Sequence, residues 1–100
     1  MGIERVAGEA VILSELGTDR DRLRKLAGLH IRRFENLIRS GWSNVRVSEC
    51  EDYLVIWRGV LAAAARVNLV EALTDEMRRE IRDARDCGDY ADLFEPDEER

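Results

Sequence analysis

Ser48-Glu49-Cys50-Glu51-Asp52-Tyr53-Leu54-Val55-Ile56-Trp57-Arg58-Gly59-Val60-Leu61-Ala62-Ala63-Ala64-Ala65 is the stretch on which the fold class turns, because its middle reads two ways. Tyr53 to Trp57 is as β-prone a run as the chain offers, and pairing it with Val45 to Val47 would make residues 45–57 a hairpin. Two patterns favour a helix. Ser48-Glu49-Cys50-Glu51 matches a capping box, in which the serine oxygen accepts from the Glu51 amide and the Glu51 carboxylate accepts from the Ser48 amide. Downstream, Cys50, Leu54, Trp57, Leu61, Ala64 and Asn68 recur at steps of three and four, and Tyr53, Ile56, Val60, Ala63, Val67 and Val70 form the stripe beside them. The expected helix runs from about Glu49 to Leu73.

Upstream, Leu23, Leu26, Ala27, His30, Ile31, Phe34, Leu37 and Ile38 keep a helical period, with Thr18 or Asp19 as N-cap and Gly41 as stop. Before it, Ile3 to Leu16 places Ile3, Val6, Ala7, Ala10, Val11 and Ser14 on one face and ends at Gly17. Downstream, Thr74 caps a helix over Asp75 to Cys87, with Asp75 and Glu76 in the first turn, where the helix dipole favours acids, and Gly88 as stop. The expectation is an all-α, largely antiparallel bundle of about four helices. Residues 1–95 form its single domain and residues 96–100 a frayed acidic terminus, since Pro96 marks the end of order. Gly28, in mid-helix, costs about 1 kcal/mol relative to Ala, which a close helix crossing with Gly59 would explain.

One hundred residues, 45% of them hydrophobic, suffice for one core. No apolar run is long enough to span a bilayer. The opening Met-Gly-Ile-Glu-Arg-Val carries an early acid instead of a basic segment followed by an apolar block, so it does not read as a secretion signal, and a cytoplasmic location is expected. Cys50 and Cys87 stand 37 residues apart with no Cys-x-x-Cys, and are read as reduced thiols. A zinc site would need both of them, the single His30 and a carboxylate to converge from four places, so no metal is expected. No cofactor is expected either, since no phosphate-binding glycine motif occurs.

No histidine lies near a cysteine or serine in a motif, and His30 sits on the apolar stripe, so the chain is expected not to be an enzyme. Charge is uneven. Residues 17–41 carry seven basic side chains against three acidic, residues 75–100 five against eleven, and the net charge is −5. The basic side of the second helix, with Arg32 and Arg33 as its candidate phosphate contacts, is the basis of an alternative reading as a nucleic-acid-associated protein. Asp19, Asp21 and Glu35 dilute it, and no aromatic side chain lies between its cations to stack bases. The acidic end permits a further alternative, an inhibitor that imitates nucleic acid.

The leading expectation is a protein–protein interaction module: an adaptor, small regulator, inhibitor or self-associating subunit. Its partners would be itself, as a C2 homodimer, and another protein. The third helix is small and apolar nearly all round, so Trp57, Gly59, Ala62 and Ala63 are the candidate self-association residues. Tyr90, Leu93 and Phe94 stand at i, i+3 and i+4 in an acidic run, and are expected to dock either on their own bundle or in a partner's groove.

Overall fold

A computed structural model describes residues 2–41, 44–88 and 90–94, with side chains described outside 2–8, 44 and 45. Every element in it is helical: α1 (Gly2–Leu16), α2 (Arg20–Arg39), α3 (Asn44–Ala64), α4 (Leu69–Ala72), α5 (Asp75–Cys87) and a 3-10 turn over Ala91–Leu93. Both halves of the would-be hairpin lie inside α3. The expected terminus at 96–100 lies outside the described residues.

Capping chemistry sets most of the boundaries. The Asp19 carboxylate accepts from the Arg22 amide at 2.8 Å and opens α2; the Thr74 hydroxyl accepts from the Met77 amide at 3.2 Å and opens α5. At the end of α1 the Thr18 amide donates to Leu13 and the Gly17 amide to Ser14, the paired closure of a left-handed residue, and Gly17 has φ +75. Gly88, with φ +78, closes α5.

Two boundaries of α3 depart from expectation. It starts at Asn44, so Ser48 lies inside the helix and caps nothing; residues 44–48 contain no glycine or proline to stop the helix forming a turn early. It ends at Ala64 instead of running on to Leu73. On a continuous helix, Leu69 would sit two full heptads after Val55 and share its outward face. The turn at 65–68 instead lets Leu69 become fully buried, a gain of about 2 kcal/mol, while Val67 is left 89% exposed. Arg20 makes this break tolerable. Its guanidinium donates to the carbonyls of Ala64 at 2.7 Å and Arg66 at 2.6 Å, and to the Glu9 carboxylate at 2.9 Å.

α2 lies against α3 along most of its length; α5 and α4 also meet α3, while α1 packs on α4 and α5 and the 3-10 turn on α2. Leu13, Leu16, Leu23, Leu26, Trp57, Val60, Leu69 and Ile81 fill the centre. In the C-terminal half of α1 the buried face is turned from the expected one: Leu13 and Leu16 point inward, while Ala10, Val11 and Ser14 are exposed; Ile3, Val6 and Ala7 lie outside the described side chains. The larger leucines bury more apolar area than alanine and serine, so they decide the orientation. The molecule measures 47 × 34 × 19 Å, a slab about two helices thick. One face of α3 therefore has no layer over it.

Candidate functional site

α2 and α3 each carry two aromatic rings one helical turn apart, His30 and Phe34 on the first, Tyr53 and Trp57 on the second. The helices run antiparallel, so the pairs meet in reversed order. His30 stacks on Trp57 with ring centres 4.2 Å apart and planes 3° from parallel, and Phe34 stacks on Tyr53 at 5.3 Å. Tyr90, from the segment after α5, meets His30 edge-on at 4.7 Å. Trp57 forms the buried floor of this cluster and is 1% exposed.

The rings line an open hollow of about 340 Å³ between α2, α3 and α5, which Leu37 and Ala84 extend with aliphatic surface. Its charged lip consists of Arg33 on α2 and of Glu80 and Asp83 on α5, with Cys87 at one end. Burial, followed by the nearby carboxylates of Asp83 and Glu76, holds Glu80 above the usual carboxylate range against the opposing pull of Arg79. Neither Glu80 nor Asp83 forms an ion pair among the described residues. Compared with protein-family models, with curated proteins and with solved structures, the chain matches none.

The four residues expected to mediate self-association do not share a surface. Trp57 and Ala63 are in the monomer's own core, and Gly59 faces α5, where an added Cβ would run into the Met77 methyl. Only Ala62 is exposed. The uncovered face of α3 instead carries Glu51, Val55, Arg58, Ala62 and Ala65, with Val55 71% exposed. Gly28 does not cross Gly59: nothing lies within 4 Å of where its Cβ would stand.

Leu93 and Phe94 are buried against this chain's own bundle, and the Thr18 hydroxyl donates to the Leu93 carbonyl at 3.2 Å. They are held by a 3-10 turn, so Tyr90 diverges from them towards the aromatic hollow. Arg32 and Arg33 also part company. Arg33 is on the lip of the aromatic hollow, whereas Arg32 borders a wider hollow of about 730 Å³ together with Arg24, Lys25, Asp21 and Asp92. Other arginines of the basic side are used internally: Arg20 at the end of α3, and Arg22 beside Asp19.

Sequence reading missed a structural use of arginine at helix ends. Arg85 donates to the Glu15 carbonyl at 3.0 Å near the end of α1, and Arg78 to the Val70 carbonyl at 3.2 Å in α4, repeating what Arg20 does for α3. The two aromatic pairs spaced by four residues on consecutive helices were a visible signal for the hollow. Its acidic lip was not, because Glu80 and Asp83 lie in a helix whose exposed positions are nearly all charged. Among the described residues no group of three or more His, Cys, Asp or Glu could hold a metal ion. No described helix is long and apolar enough to cross a membrane.

Proposed function

We propose that this chain is a non-enzymatic protein–protein interaction module that self-associates as a C2 dimer through the uncovered face of α3. The observation that supports this reading is the arrangement of that face. Val55 and Ala62 stand two turns apart at its centre, Glu51 and Asp52 lie towards one end, and Arg66 lies just beyond the other. A two-fold axis passing between residues 58 and 59 would set Val55 of each copy over Ala62 of the other. The same operation brings Glu51 opposite Arg66, while each Arg58, paired with Glu35 of its own chain at 3.0 Å, lies beside the axis. Its alanines permit close helix approach, and the slab has no third layer to compete for the face.

The module is proposed to work in the cytoplasm, where the exposed Cys87 would remain a thiol. The Arg-rich side of α2 supplies no comparable argument for nucleic acid, since its cations are split between two hollows and internal contacts.

Charge exchange across the two-fold axis tests the proposal. Glu51→Arg would oppose Arg66 with a like charge at both symmetric positions, and is expected to weaken the dimer roughly threefold to thirtyfold. Glu51→Arg combined with Arg66→Glu restores both pairs and should recover wild-type association. If the double variant dimerises no better than the single one, the two-fold register is wrong.

A further inference from the structure

The aromatic hollow is on the opposite side of α3 from the proposed dimer face, and its chemistry selects a different occupant. Its walls are aromatic and aliphatic, so they favour alkyl carbon, and rings also attract cations. Its lip carries two carboxylates against one guanidinium. Arg33 already has contacts of its own, and neither Glu80 nor Asp83 is in an ion pair among the described residues. The hollow therefore presents an apolar interior under an excess of negative charge.

We propose that this hollow receives a lysine side chain presented by a protein partner, its methylenes against Phe34, Tyr53 and Tyr90 and its ammonium between Glu80 and Asp83. Charge complementarity chooses a cation over a neutral or acidic group. The aliphatic and aromatic interior chooses one carried on a carbon stem over a hydrated metal ion. The hollow is open, so it cannot enclose a free small molecule; a side chain held by a peptide gains the remaining contacts along the lip. Glu80 adds support: its partial burial, and then the carboxylates of Asp83 and Glu76, disfavour its charge, and an ammonium held beside it would offset both.

The site can be read without the dimer, in Val55→Glu as well as in wild type, so its failure is separable from failure of the self-association proposal. The probe is an N-acetylated, C-amidated Ala-Ala-Lys-Ala-Ala peptide, followed by NMR at the side chains of Tyr53, Trp57 and Tyr90. Saturable shifts at these residues are expected. The same peptide with norleucine in place of lysine should bind at least about tenfold more weakly, since it keeps the carbon stem and loses a charge-assisted contact. Glu80→Gln with Asp83→Asn should abolish the difference between the two peptides while leaving helix content unchanged. Equal binding of the norleucine peptide would overturn the proposal, as would shifts confined to other surfaces or no saturable shift. If n-butylammonium alone binds as tightly as the lysine peptide, the source is a free amine and the peptide assignment fails.

Discussion

The two sides of α3 draw on a similar apolar alphabet but meet different surroundings. Inward, Trp57, Val60, Ala63 and Ala64 are at most 2% exposed and pack against the rest of the bundle. Outward, Val55, Ala62 and Ala65 face solvent alongside Glu51 and Arg58. The difference shows that a helix rich in small apolar residues does not announce which side is the core. That choice belongs to the largest side chains and to the elements that can reach them: Trp57 gains His30 as a stacking partner from α2, while Val55 stays largely exposed.

Substitution on the two sides should separate them most clearly. Trp57→Ala is expected to cost about 3–5 kcal/mol, because it leaves a cavity under His30. Val55→Ala should change the stability of the monomer by less than about 0.5 kcal/mol. Urea unfolding followed by circular dichroism gives both values, and similar costs at the two positions would erase the comparison.

The end of α3 offers the next largest effect. Arg20→Ala leaves the Ala64 and Arg66 carbonyls and the Glu9 carboxylate without their donor, and should cost about 1–3 kcal/mol. Arg32→Ala, on the same helix but bordering open solvent, should stay within about 0.5 kcal/mol. Equal effects would mean that Arg20 does not stabilise the turn that sends Leu69 inward.

Legibility followed the same division. α5 was readable from Thr74 to Gly88 because its capping hydroxyl and its left-handed stop are both local chemistry. The stripe of α2 was readable from Leu23 to Ile38 because its opposite side is strongly charged. The break after Ala64 was not, since no glycine or proline marks it and the arginine that stabilises it stands 44 residues earlier in the chain. Nor was the buried face of α1, where two apolar stripes overlap and only packing prefers Leu13 and Leu16. For the candidate sites, the burial of Leu93 and Phe94 had a signal in an apolar cluster within an acidic run. The separation of Arg32 from Arg33 depends on helix rotation relative to neighbours, which adjacent sequence positions conceal.

Two smaller effects refine the picture. Gly28→Ala should stabilise the protein by about 0.5–1 kcal/mol, because the helix gains propensity and the new methyl meets nothing. Gly59→Ala should gain much less, since its methyl must displace Met77; thermal melts of both would show it. Glu80→Gln probes the lip of the hollow. The folded state holds the Glu80 proton more tightly than the unfolded chain does, so this group's contribution is favourable below the ordinary glutamate range and is lost as pH rises through the raised value. Glu80→Gln should therefore be the more stable protein at neutral pH, with an advantage that shrinks on acidification. An advantage that instead grows as pH falls would contradict the cause assigned to the shift.

The most direct test of the uncovered face is the mass in solution, measured by light scattering at micromolar concentration for wild type and for Val55→Glu. Self-association through this face gives twice the single-chain mass of 11.5 kDa for wild type and 11.5 kDa for Val55→Glu, with helix content preserved in both. A wild-type mass of 11.5 kDa, or a dimer that Val55→Glu leaves intact, would contradict it.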